Sequence, residues 1–459
     1  MKKSNSSVFQ YLKTLLLPAL LLLASCSQLS LNDQSSSKLK ALLVACEGDD
    51  VTTSPQLIHH PRWPVLAANR FLLSYQKQPL SVTQWQAWLD KLSALQQQNS
   101  KPALPSKSCM KALRSDAVYQ LREELFSQWH SGLYTAWPVI ADIMEPLVNR
   151  AVEKEITHNK GIEKQFRAVA HPLDMGMLSD YEWYGRSVSS SHNFQLSDMP
   201  LNPLGFPELS ALQAEALLDK WQPLWVIDRM AENDIPLSLA RVSGKLQIDK
   251  SPSIYRYISY GRLHNEIVLQ LNYVIWFAER KPESWIDLLA GQFDGIQLRS
   301  HLDLQGNVLA YDAMHSCGCW YQLFSSPKLR KTKKAEGEPV YLSSFWPGNK
   351  APIVVLSANQ HQLQALLPWR DRAWEVAGKE LIPLNSKPYS ELNNLFDKQG
   401  LLAESARLER FLFAPLGVKA AGSMRSRGRH QIAFTSERYF DQPDLLESLG
   451  FERAEPRSD

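Results

Sequence analysis

His315-Ser316-Cys317-Gly318-Cys319-Trp320 sets an imidazole two residues before a pair of thiols, with one glycine between the thiols. Three chemistries fit those residue types. Thiolate and imidazole are the ligands zinc prefers. Two cysteines so close can also close a small, strained disulfide that is reduced easily. Or each cysteine takes part in a structural bridge. The spacing speaks against the first, since paired zinc cysteines usually lie two to four residues apart and a fourth ligand is required. His264, Glu266 and His301, on neighbouring predicted strands, are the candidates to complete a zinc site. A zinc-dependent hydrolase built on His315 and a Cys317/Cys319 redox protein are thus the two alternatives to a structural bridge.

A second set of candidates is Arg425, Arg427 and Arg429. Side chains two residues apart on an extended backbone point the same way, and a row of guanidiniums suits carboxylate or phosphate. The simpler expectation is a solvated basic edge strand that discourages aggregation. Arg299, His301 and Asp303 alternate on another predicted strand and are expected to form a hydrogen-bonded, solvent-facing patch. The sequence contains no His-Glu-x-x-His, no Gly-x-Ser-x-Gly and no phosphate-cradling glycine loop. The expected role is therefore binding or structural, with an enzyme as the alternative.

The cysteines acquire their context from the start of the chain. Lys2 and Lys3 precede the apolar run Thr14–Leu23, which is too short to span a bilayer, for which ~20 residues are needed. A charged start, a short apolar core and small residues after it form a secretory signal. The run ends in Leu23-Ala24-Ser25-Cys26, which resembles the lipobox of bacterial lipoproteins. The resemblance implies cleavage before Cys26, lipidation of Cys26 and anchoring to a membrane. Ser27 in place of Asp resembles the outer-membrane sorting pattern of enteric-type bacteria. The expected location is the bacterial envelope, facing the periplasm, where disulfides persist. With Cys26 lipidated, Cys46, Cys109, Cys317 and Cys319 remain, and four cysteines allow three pairings. Cys46–Cys109 with Cys317–Cys319 is the pairing that keeps both bridges local.

Composition bounds what such a chain can be. The 459 residues are 44% hydrophobic and 21% charged, a globular balance. A net charge of +3 is too small to point to nucleic acid. An anionic envelope component or an envelope protein is the expected partner class beside the membrane itself. Fourteen Trp and 27 Pro suit an α+β protein with long ordered loops. No internal repeat stands out.

The elements expected to position these residues can be read from periodicity. Val82–Gln98 places Trp85, Trp88, Leu89, Leu92 and Leu95 at helical spacing. Ala112–Gln128, Pro138–Thr157 and Asn359–Leu367 also read as helices. Leu269, Leu271, Tyr273, Ile275 and Phe277 alternate as a half-buried strand, with a turn before it at Gly261–Asn265. Ile296, Leu298 and Leu302 face one way, and Gln297, Arg299, His301 and Asp303 the other. Residues 325–339 read as a basic loop and His430–Phe440 as a last strand. The expected organisation is a signal peptide over residues 1–25, a polar tether over 26–38, a mainly helical region over 39–165, and an α+β region with an antiparallel sheet over 166–459. The words "WFAER" (276–280), "DLLAGQFDG" (287–295) and "YDAMHSCGC" (311–319) resemble a group of proteobacterial proteins with no assigned function. "RWPVLAANRFLLSY" (62–75) and "GSMRSRGRH" (422–430) extend that resemblance, which implies no particular reaction.

Overall fold

The computed structural model describes residues 33–47, 54–98, 105–131, 146, 149–150, 178–186, 195–285, 287–335, 337, 340–343, 345–413, 420–433 and 438–454. Cys26, the signal segment and nearly all of the expected Pro138–Thr157 helix lie outside them. Among the described residues no helix is long and apolar enough to cross a membrane.

The architecture is α+β. Its frame is a seven-stranded sheet. The strands are β1 (Ser253–Leu263), β2 (Glu266–Arg280), β3 (Gly291–Leu302), β4 (Val308–His315), β5 (Gln322–Ser325), β6 (Tyr341–Ser343) and β7 (Asn385–Pro388). Their order is β6-β5-β4-β3-β2-β1-β7. β1 to β5 form an antiparallel meander, while β6 and β7 add parallel edges. β1 runs on to Leu263, past the expected start of the turn. The connection to β2 is the two-residue turn His264–Asn265, with His264 in the left-handed region at φ 56°.

The alternation seen in the sequence holds along β2, but the strand is buried on both faces. Leu269, Leu271, Tyr273, Ile275 and Phe277 join Ile296, Leu298 and Leu302 in the largest core cluster. That cluster is closed by a five-stranded mixed sheet, which includes Leu224–Ile227 and Ile353–Leu356, and by the helix Ala211–Lys220. The opposite face of β1–β4 carries Tyr257, Asn272, Arg299 and Asp312 in direct register across four strands. Segments from both ends of the chain cover this polar face.

Several expectations are corrected. Asn359–Leu367 is not a helix. Asn359 and His361 adopt left-handed backbone (φ 57° and 49°), and Leu363–Leu367 then pairs antiparallel with Ile353–Leu356. Ala112–Gln128 is broken into the helices Lys107–Leu113, Asp116–Gln120 and Arg122–Ser131. Ser115 caps the second of these by accepting from Val118 N, which ends the first. The basic 325–339 segment contains a strand, Leu329–Lys331, paired with Phe451–Arg453. The proposed last strand contributes only the bridge Gln431↔Tyr439 and otherwise forms no strand among the described residues. The helix Asp33–Leu43 starts inside the expected tether.

The helix Val82–Gln98 begins where Ser81 and Gln84 cap reciprocally: Gln84 N donates to Ser81 Oγ and Ser81 N to Gln84 Oε1. Its buried stripe includes Trp85 and Trp88, whose stacked rings lie 5.2 Å apart. The indole N–H of Trp88 donates to Leu72 O and that of Trp85 to Leu113 O. This helix and residues 69–72 form one wall of the site described next.

Candidate ligand-binding cleft

A cavity of about 450 Å³ lies between that wall and the polar face of the sheet. Phe71, Leu95, Phe206 and Tyr260 give it an apolar side. Tyr257, Ser259, Gln270, Arg299, Arg427 and Arg70 give it a polar side. The volume falls within the range of small-molecule sites, and the mixture of apolar wall and few convergent polar groups is the one such sites use.

The polar side is pre-ordered by hydrogen bonds. Gln297 Nε2 donates to Tyr257 Oη (2.8 Å) and to Asn272 Oδ1 (2.9 Å). Asn272 Nδ2 donates to Ser259 Oγ, and Ser259 Oγ–H to Gln270 Oε1. Arg299 is 1% exposed and holds Asp312 with two parallel bonds, Nε to Oδ1 at 2.9 Å and Nη2 to Oδ2 at 2.5 Å. Its third contact is Phe440 O, and its guanidinium lies over the Phe440 ring at 3.7 Å. Tyr321 Oη donates to Asp312 as well. Burial alone would raise the Asp312 carboxyl; Arg299 and His301 more than offset it and hold it at about 2.

The charges of the described residues around the cavity do not sum to zero. Arg70 pairs with Asp441 at 2.8 Å, Lys91 with Glu208 at 2.8 Å and Arg299 with Asp312. Arg427 has no carboxylate partner among the described residues. Its guanidinium lies 4.9 Å from the Tyr257 ring centroid and 5.6 Å from that of Tyr389, and its backbone N–H donates to Tyr389 Oη. Among the described residues, one half-buried cation thus faces a cavity in which the other cations are matched.

The three alternating arginines are therefore not a solvated edge strand. Arg425 bridges Leu401, the chain then turns at Ser426–Arg429 with Gly428 at φ +84°, and the side chains diverge. Arg425 donates to Ala420 O, Arg429 to Pro55 O and Leu57 O, and Arg427 alone of the three lines the cavity. Arg299, His301 and Asp303 are likewise buried, not surface residues. Asp303 accepts from Arg453 and organises its own turn through Gln305 N and Asn307 N.

The cysteines divide into two kinds. Cys46 and Cys109 are bridged, tying the turn Val44–Cys46 to the helix Lys107–Leu113. Cys317 and Cys319 are free thiols in this structure, contrary to the bridge expected there. The proposed metal partners are not gathered around His315. His264 sits exposed at its hairpin tip, and Glu266 pairs with Arg453. His301 pairs with Ala310 in the sheet while His315 pairs with Ile296. That is five residues apart along β4, about 16 Å at the rise of a strand. Among the described residues no group of three or more His, Cys, Asp or Glu is arranged to hold a metal ion.

His315 instead belongs to a buried chain that sequence reasoning missed. Its Nδ1 lies 3.4 Å from Asp294 Oδ1. Asp294 Oδ2 lies 3.0 Å from His361 Nδ1, and His361 Nε2 lies 3.3 Å from Asp234. The His361 ring stacks on Phe277 with centroids 3.8 Å apart. Burial disfavours charge on His361, but Asp234 and Asp294 outweigh it and raise the imidazole above its usual value. Burial also opposes ionisation of Asp294, and His315 and His361 hold its carboxyl well below the carboxylate range. No spacing in the sequence could have joined positions 234, 294, 315 and 361. The arrangement locks the far end of β3 and β4 to the five-stranded sheet.

Comparison with family models, with curated proteins and with solved structures finds no match to this chain.

Proposed function

We propose that this protein is a lipid-anchored envelope protein that binds an amphipathic monoanion in the cleft between its N-terminal helices and its sheet. The observation that carries the ligand reading is Arg427. A guanidinium beside two tyrosine rings, without a carboxylate among the described residues, next to an apolar wall suits one carboxylate or phosphate headgroup attached to an apolar body. In the cleft the role is binding without turnover, and the ligand or partner there is an anionic component of the envelope.

The location rests on the lipobox-like Leu23–Cys26 and on the outer-membrane pattern of Ser27. The Cys46–Cys109 bridge supports export, because such bridges persist in oxidising compartments. The same reading takes residues 39–165 as a mainly helical unit that caps the sheet, which the helices Val82–Gln98 and Arg122–Ser131 support.

Two experiments test the proposal. For the anchor, Cys26→Ala should move the protein from the membrane fraction to the soluble one. A variant that stays membrane-bound and normally processed refutes lipidation. For the cleft, calorimetric titration with alkyl phosphates and aryl carboxylates should show binding that Arg427→Gln weakens by about 10–100-fold, the value of a charge-assisted bond. Arg427→Lys should not restore it, since an ammonium offers no fork and stacks poorly. Equal affinities for the native chain and Arg427→Gln would remove the basis for the proposed ligand class.

A further inference from the structure

The turn after β4 places two thiols side by side on a tightly held backbone. His315 N donates to Cys319 O (3.0 Å) and Gly318 N to His315 O (2.8 Å). Ser316 N donates to Gly295 O and Arg425 N to Ser316 O, both at 2.8 Å. Gly318 has φ +91°, and a side chain there would collide with the Gln431 carbonyl oxygen. The turn is thus clamped from both sides, and the glycine cannot be exchanged freely.

Within this clamp the sulfurs are not equivalent. Cys317 Sγ accepts the backbone N–H of Cys319 at 3.3 Å. The neighbouring Cys317 sulfur, together with burial, pushes the Cys319 thiol well above the usual thiol range. Cys317 is thus the sulfur held by the backbone, and Cys319 the one whose ionisation is opposed. Both cysteines are half-buried, with the exposed Trp320 beside them, so the pair can be reached from solvent. A structural role for two unbridged thiols is hard to supply: each gives up part of its burial, and neither makes a bridge.

We propose that Cys317 and Cys319 are a redox-active pair that exchanges with a disulfide-bearing partner, Cys317 attacking and Cys319 resolving. In the first step the Cys317 thiolate forms a bond to one sulfur of the partner disulfide. The partner's S–S bond breaks, and the departing thiolate takes up the proton that Cys317 released. In the second step Cys319 loses its proton to water and attacks Cys317 Sγ. The mixed disulfide breaks, and the partner's second sulfur leaves and is protonated. Two thiols have been oxidised by two electrons, and one disulfide has been reduced to two thiols. The Cys317–Cys319 bond closes across a single residue, a small ring that strain keeps easily reduced, so the pair can return. This inference is independent of the ligand read for the cleft.

The test is a redox titration of the full mature chain in glutathione buffers of stepped thiol-to-disulfide ratio, followed by alkylation and mass spectrometry. The expected result is a reversible change of the 317–319 peptide from doubly alkylated to internally bridged, with a midpoint inside the glutathione range. Cys46–Cys109 should stay bridged throughout, reporting an intact fold. With oxidised glutathione, Cys319→Ser should accumulate a glutathione adduct on Cys317. In Cys317→Ser the adduct on Cys319 should form more slowly, since burial still opposes ionisation of that thiol. A pair that stays fully alkylated at every ratio, a pair that strong reductant cannot open, or stoichiometric zinc that shields both thiols each overturns the proposal. Equal adduct rates in the two variants overturn the assigned order of attack. The titration of the native chain decides the main point even where a serine variant fails to fold.

Discussion

Asp312→Asn is the sharpest test of how the sheet holds its polar face. The substitution keeps shape but removes the charge that faces Arg299 across two bonds of 2.9 and 2.5 Å. Arg299 is 1% exposed and would keep Phe440 O, the Phe440 ring and one neutral amide oxygen as partners. Losing one member of a buried ion pair costs about 3–5 kcal/mol, because the other charge stays desolvated. At about 2–4 °C per kcal/mol for a large domain, the melting temperature should fall by about 6–20 °C. Replacing both residues, Arg299→Met with Asp312→Leu, should cost much less than the single change, since no charge is then left without a partner. Thermal and urea unfolding followed by circular dichroism supply both numbers. A loss under about 1 kcal/mol for Asp312→Asn would mean that water in the cavity solvates the guanidinium. The sheet face would then be an open wet surface, and the account of its pre-ordering would be wrong.

Two further expectations follow from burial and backbone. Burial holds His60 and His430 at about 4, against an ordinary value of 6.5. The unfolded chain therefore takes up these protons first, and stability should drop as pH falls from 6.5 toward 4, by up to ~3 kcal/mol for each residue. His361 runs the other way: its raised value adds stability that is complete below 6.5 and is lost as pH climbs through the folded value. Urea midpoints should thus peak near pH 6.5, and a profile flat down to pH 4.5 would contradict the buried neutral histidines. Gly318→Ala should cost about 1–3 kcal/mol, measured by denaturant titration, since it forces a side chain into left-handed backbone against Gln431. An alanine variant as stable as the native chain would show that the turn is not clamped.

The strands β2 and β3 were legible because one face of each is apolar, and Leu269–Phe277 and Ile296–Leu302 announce that face by alternation. Alternation does not say what covers the other face. Arg299, His301 and Asp303 read the same whether they meet water or another layer of protein, and here they meet protein. Arg425, Arg427 and Arg429 misled for a related reason. Spacing of two implies one direction only on extended backbone, and Gly428 turns the chain between them. Asn359–Leu367 holds apolar residues that fit either period, and pairing with Ile353–Leu356 decided the matter. The Asp234–His361–Asp294–His315 chain had no local signal, because each member comes from a different element.

Arg70 reaches Asp441 across 371 positions of sequence, and Arg429 reaches Pro55 across 374. The wall of the cleft therefore depends on the first and last parts of the chain at once. Contacts of such high order form slowly, because the intervening loop must close before they repay its entropy. A nascent chain that has emerged only as far as the sheet has the N-terminal wall but not Arg427, Phe440 or Asp441, and its polar face stays partly wet. Synthesis must reach residue 441 before that face can be sealed. On the proposed export, that face stays open until residue 441 has been made.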